Sequence, residues 1–196
     1  MCDADEGPVA SLEIQLLAPA AASDSELVSE ITDLINRVYL TAEEGLWVEA
    51  ATRTTTREMT ELISAGQIAV ARMDGRIVGG VRIQQLDGDT GEFGMLVIDA
   101  AYRGKGLGRQ LVIFAEEVSR QRGLGVMQLE LLVPREWTHP TKASLHAWYT
   151  RIGYRPVRSG TIDESYPQLA PLLATPCDLV IYHKDLLSPR SMPQAE

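Results

Sequence analysis

Apolar and polar residues alternate at Leu12, Ile14 and Leu16, a period of two that predicts a strand. The period then changes. Leu27, Ile31, Leu34, Ile35 and Val38 recur at helical spacing, behind Ser23 and Asp24, either of which can cap a helix start. Residues 39–56 are irregular and end in a run of threonines, and a second helix is expected over roughly 56–65, closed by Gly66. Residues 67–73 and 76–85 read as a hairpin turning at Asp74-Gly75, because that dipeptide tolerates the positive φ of a tight turn.

After a turn at Asp87-Gly88-Asp89, a strand is expected over 92–98, then a glycine-rich loop. Leu107, Leu111, Phe114, Ala115 and Val118 mark an amphipathic helix that stops near Gly123. Residues 126–133 form a strongly apolar strand ended by Pro134, and residues 142–152 a helix ended by Gly153. Strands over 154–161 and 179–182 enclose a proline-bounded insert, 166–176, with a short helix. No internal repeat or interdomain linker interrupts this order. The pattern predicts one α/β domain over 11–187, between tails at 1–10 and 188–196.

A chain of 196 residues is long enough for one substantial core. The formal net charge is −9 and the isoelectric point about 4.9. An acidic surface repels phosphate backbones, which counts against a nucleic-acid partner. The same charge either attracts cationic substrates or only aids solubility. The stretch from Leu16 to Ala22 is flanked by Asp3, Asp5 and Glu6 where a secretion signal needs positive charge, and no run is long enough for a membrane span. A cytoplasmic protein without a membrane partner is expected. Cys2, Cys177, His139, His146 and His183 lack zinc-ligand spacing, so no metal is expected.

The chemistry concentrates in the loop Arg103-Gly104-Lys105-Gly106-Leu107-Gly108. Glycines at every second position leave the backbone bare where a helix begins. Consecutive N–H groups can converge there on an anion, which the helix dipole also favours. Arg103, Lys105 and Arg109 add positive charge in an acidic chain. A pyrophosphate suits such a site; a glycine-rich turn without a ligand is the plainer alternative. Walker A is absent, and the dinucleotide fingerprint fails because the third glycine comes one residue early.

The pattern Arg103-x-x-Gly106-x-Gly108 resembles the acetyl-CoA signature of the GNAT superfamily, the GCN5-related N-acetyltransferases. The preceding Leu96-Val97-Ile98-Asp99 and the helix that follows resemble that family's central motif. A second motif, Trp148-Tyr149-Thr150-Arg151-Ile152-Gly153-Tyr154, is similar to the family's Phe-Tyr-x-Lys-Leu-Gly-Phe. The order of elements from about residue 12 to 186 also fits. The chain departs from the family at Lys142, where many relatives carry an asparagine that helps hold the cofactor. Lys142 either reaches a cofactor phosphate or is a solvated first-turn lysine.

The resemblance implies a mixed central sheet with a splay between two parallel strands, 92–98 and 126–133, flanked by helices. It implies an acetyl-CoA-dependent N-acetyltransferase, with acetyl-CoA and a small amine as partners and a homodimer left open. The first parallel strand is expected to bulge near its centre, eased by Gly94. Backbone amides around Leu96, Val97 and Ile98 would then hold the pantetheine arm and polarise the thioester. Tyr149 matches the tyrosine that protonates the departing thiolate, although it could instead be a core aromatic beside Trp148. Glu92 and Glu130 are candidate bases, each also readable as a solvent-facing strand glutamate, with water alone as a competitor. A carboxylate among the apolar residues of the later strand is unusual, and burial would raise its pKa. His139 and His146 are further, weaker candidates.

In this family the acceptor pocket is built largely by the segment joining the first two helices and by the late hairpin. Here the first holds Glu43, Glu44 and Trp47, which would suit a small cationic amine if the glutamates are not merely exposed. A protein N-acetyltransferase, or an acyl-CoA-binding regulatory module without turnover, is the alternative.

Overall fold

A computed structural model of the protein describes residues 11–48 and 52–187. The expected tails, 1–10 and 188–196, lie outside the described residues, as does Cys2. Seven strands form one sheet: β1 (Leu12–Leu16), β2 (Ile68–Met73), β3 (Arg76–Gln85), β4 (Thr90–Ile98), β5 (Val126–Pro134), β6 (Arg155–Thr161) and β7 (Cys177–Asp185). Their spatial order is β1-β2-β3-β4-β5-β7-β6. All neighbours are antiparallel except β4 and β5.

Local chemistry explains these connections. β2 and β3 turn at Asp74 and Gly75, with φ of 51° and 80°, the paired left-handed residues that match strand twist. A parallel pair needs a crossover, and the helix α3 (Leu107–Gln121) supplies it between β4 and β5. The helix α1 (Ser25–Ala42) is capped by Asp24, whose carboxylate accepts from the amides of Glu26 and Leu27 at 3.1 Å. Thr55 caps α2 (Thr56–Ser64) in the same way, through the Glu58 amide. The helix α4 (Pro140–Arg151) begins two residues before its expected start, with proline at its first position. A short helix, α5 (Ile162–Ser165), precedes the late insert, and the short helix expected within 166–176 is a single 3-10 turn, Ala170–Leu172. β7 is longer than its apolar run because the polar residues His183 to Asp185 continue the backbone ladder with β5.

Helices α3 and α4 cover one face of the sheet, over Phe93, Met127, Leu129, Leu131 and Tyr182. Helices α1 and α2 cover the other, over Val70, Met95 and Val97. A third cluster of Leu46, Leu132, Ile162, Cys177 and Leu179 seats the end of α1 on the late insert. There Trp47 bridges Leu173, and the Val48 amide donates to Leu172 at 2.9 Å. Among the described residues no helix is long and apolar enough to cross a membrane.

Candidate active site

β4 and β5 pair over only three positions, Thr90 with Val126, Gly91 with Met127 and Glu92 with Gln128. Beyond them the strands part, leaving a splay near the middle of the sheet. The cause lies in β4. Gly80 of β3 faces Val97 and Arg82 faces Gly94, so β4 takes three steps where β3 takes two. This is the expected bulge, but the left-handed residue is Met95, with φ of 48°, and not Gly94. Such a conformation costs a non-glycine residue about 1–3 kcal/mol. Met95 is held in it by its buried side chain, which packs beside Val97 under α1 and α2. A side chain added at Gly94 would meet no atom within 4 Å, so the bulge opens onto free space.

The glycine loop lies between the end of β4 and α3. Gly104 and Gly106 each have φ of 77°, and Gly106 is the N-cap of α3. A cap without a side chain leaves the first amides of α3 free of any capping oxygen. Arg103, Lys105 and Arg109 are exposed around them, and Lys105 Nζ lies 4.9 Å from the centre of the Tyr102 ring. The loop therefore offers converging N–H groups and three cations to solvent, which fits a pyrophosphate. Leu96 and Ile98 pack toward α3 and α4, and Val97 toward α1 and α2.

Tyr149 projects from α4 into the aromatic group of Phe93, Trp148, Tyr154 and Tyr182, with ring centres 4.9–6.3 Å away. Burial pushes its phenol pKa up, with Tyr39 and Tyr182 adding to the rise. It stays a protonated phenol throughout the neutral range.

The opposite face of the sheet carries the carboxylates. Glu92 stands where the parallel pairing ends, and both its oxygens are occupied. Gln84 Nε2 donates to one at 2.7 Å and Gln128 Nε2 to the other at 2.9 Å. Gln128 in turn meets His183 Nε2 at 3.0 Å. These four residues are register partners, so a polar row crosses β3, β4, β5 and β7. Glu130 lies two residues beyond Gln128 on the same face, half-buried, and accepts from the Tyr166 hydroxyl at 2.7 Å. Burial raises the Glu130 pKa; the Tyr166 hydrogen bond opposes that rise, and the Glu92 charge adds to it.

Other expected site residues have different partners. Lys142 is buried and ion-paired with Glu43, so its ammonium is directed to a carboxylate rather than to a phosphate. The second oxygen of Glu43 accepts from Trp47 Nε1. Glu43 is thus neutralised, and Glu44 is exposed. His146 Nδ1 lies 2.6 Å from the Tyr182 hydroxyl. His139 is buried and stacked on Trp137, and among the described residues neither ring nitrogen has a hydrogen-bond partner.

Three participants escaped the sequence reading. Gln84 and Gln128 hold Glu92; the polar Gln128 in an apolar strand, two residues from Glu130, was the available signal. Arg53 sits over the Tyr39 ring, its guanidinium carbon 5.1 Å from the ring centre. Nothing in the threonine-rich stretch around it marks it out.

The site thus sets a glycine loop that fits a pyrophosphate beside a split parallel pair. Residues 64–156, a little under half the chain, match the family model described as acetyltransferase (GNAT) domain. Over those residues the chain is similar to GNAT acetyltransferase domains. Solved structures share the fold. PaiA N-acetyltransferase from Thermoplasma acidophilum, in complex with coenzyme A, has a TM-score of 0.63 at 16% identity, covering 89% of this chain and 99% of that one. YncA from Salmonella typhimurium, with acetyl-CoA, has a TM-score of 0.63 at 17% identity, covering 94% and 99%. An IAA acetyltransferase from Bacillus cereus has a TM-score of 0.56 at 16% identity, covering 89% and 99%. No curated protein sequence matches the chain.

Proposed function

We propose that the protein transfers an acetyl group from acetyl-CoA to a primary amine by direct attack, through one tetrahedral intermediate. The observation that carries this reading is the position of the splay. It opens at Glu92, with Glu130 on one face of the sheet and Tyr149 on the other. An acyl group in the gap would lie between a base and an acid. Two of the fold relatives hold coenzyme A or acetyl-CoA.

The residues take distinct roles in this reading. Arg103, Lys105, Arg109 and the amides at Gly106, Leu107 and Gly108 hold the pyrophosphate. Unpaired amides of β4 near Leu96, Val97 and Ile98 hold the arm and polarise the thioester carbonyl. The amine must be neutral to attack. Glu130, raised by burial, takes the ammonium proton directly or through water, with Glu92 beside it on the same face as a second candidate base. The amine nitrogen bonds to the carbonyl carbon as the carbonyl π pair moves onto oxygen, and the nitrogen then gives up its second proton to solvent. The carbon–sulfur bond breaks as Tyr149 donates its proton to the leaving sulfur, and solvent reprotonates Tyr149.

Thermal stabilisation by acetyl-CoA, followed by thiol release in the presence of an amine panel, tests the reading. Stabilisation that grows with ligand concentration is expected, together with amine-dependent thiol release. A folded protein that ignores millimolar acetyl-CoA would overturn it.

A further inference from the structure

We infer that the acceptor amine also carries a carboxylate, and that Arg53 is the residue that binds it. This rests on the transfer reading above and narrows its substrate.

The position of Arg53 is built. The side-chain amide of Asn36, on α1, donates to the Thr54 carbonyl at 3.0 Å and accepts from the Thr54 amide at 3.0 Å. Thr54 Oγ1 donates to Glu58, on α2, at 2.8 Å. The backbone beside Arg53 is therefore pinned to both helices that cover the acceptor face. The guanidinium then lies over the Tyr39 ring, half-buried. A side chain held this way has already lost much of its rotamer freedom, which lowers the entropic cost of binding a ligand.

Its charge is felt at the candidate base. The Arg53 charge lowers the pKa of both Glu130 and Tyr166, the hydrogen-bonded pair on that face. Tyr39, beneath the guanidinium, in turn adds to the rise that burial gives the Tyr149 pKa. The carboxylates whose charge reaches Arg53 each have another partner: Glu43 pairs with Lys142 and Trp47, Glu58 accepts from Thr54 and Glu130 accepts from Tyr166. Among the described residues no ion pair involves Arg53.

The acceptor face thus holds carboxylates at Glu92 and Glu130 and a guanidinium at Arg53. A polyamine would place positive charge against Arg53. A molecule with an ammonium group and a carboxylate satisfies both ends, and a guanidinium fork matches a carboxylate in two parallel hydrogen bonds. The class is an α-amino acid or a close homologue with the carboxylate free.

The test compares matched acceptors. α-Amino acids with apolar, polar and acidic side chains are each assayed beside the amine that remains when the carboxylate is removed. Peptide amides with free N-termini complete the panel, and thiol release is the readout. At least one amino acid should exceed its matched amine by about tenfold or more in kcat/KM. Arg53→Gln should raise KM for that amino acid by about 10- to 100-fold, the range for losing a charged hydrogen-bonded partner. The matched amine should change by less than about threefold. Arg53→Lys, which keeps the charge, should retain part of the preference, and unchanged stabilisation by acetyl-CoA shows that both variants are folded. Equal or better turnover of the matched amines or peptides overturns the inference and leaves acetyl transfer standing. Equal effects of Arg53→Gln on both members of a pair also overturn it. Failure to acetylate any amine, with acetyl-CoA still bound, overturns the transfer reading itself.

Discussion

Lys142 Nζ and the Glu43 carboxylate form a buried ion pair across 99 residues of sequence. The pair joins the first turn of α4 to the end of α1, helices that cover opposite faces of the sheet. Trp47 completes it through the second carboxylate oxygen. The carboxylate that seemed suited to an acceptor ammonium is used instead to fix the walls of the site.

Breaking one half of this pair leaves the other as a buried, uncompensated charge. Lys142→Met should therefore cost about 3–5 kcal/mol in chemical denaturation. The double variant Glu43→Gln/Lys142→Met should recover much of that loss, since it leaves no charge behind. A double variant as unstable as the single one would show that packing, not charge, holds the contact.

Glu130 gives a pH signature. Burial raises its folded pKa above the unfolded value. Its contribution to stability is then fully present below the unfolded pKa and is lost as pH rises through the folded one. Glu130→Gln, which cannot ionise, should gain stability relative to the parent as pH rises from the acid range to neutrality. The same variant should lose the acid limb of the kcat/KM profile. Parallel stability curves for the two proteins would remove Glu130 as the titrating group.

Tyr149→Phe keeps the ring and its contacts with Phe93, Trp148, Tyr154 and Tyr182. Only the proton donor is lost. kcat should fall by about 10²-fold, the low end for general acids, because coenzyme A leaves readily. Stabilisation by acetyl-CoA should change little. Parental turnover, measured where chemistry limits the rate, would make Tyr149 a packing residue.

At Gly106 the backbone is left-handed and the space beside it open. Gly106→Ala pays only the conformational strain, about 1–2 kcal/mol, and should weaken acetyl-CoA binding modestly. Gly106→Glu adds negative charge among Arg103, Lys105 and Arg109 and should abolish thermal stabilisation by acetyl-CoA. An unchanged shift in the glutamate variant would move the phosphate site elsewhere.

Much of this was legible in the sequence. The caps at Asp24 and Thr55, the Asp74-Gly75 turn and the glycine loop act through neighbours a few residues away, so local spacing reports them. Glu130 stood out as a carboxylate in an apolar strand. The bulge was expected from the family resemblance, but its strained residue was not. Gly94 tolerates such a backbone more easily, yet Met95 adopts it because its side chain is anchored in the core below α1 and α2. The pairing of Lys142 with Glu43, and the grip of Asn36 that positions Arg53, join segments far apart in sequence. Their residue types alone named no partner.

The three paired positions between β4 and β5 have a mechanical consequence. Four strands lie on one side of that seam and three on the other, so the sheet resembles two boards sharing a short spine. β5 is laced to β7 over nine consecutive positions, which makes its own board stiff. Strain between the boards therefore collects at Thr90 to Glu92 and is borne elsewhere by α3 and the helices above. A molecule lying in the gap acts as mortar. It would meet backbone groups that the two strands do not pair with each other there.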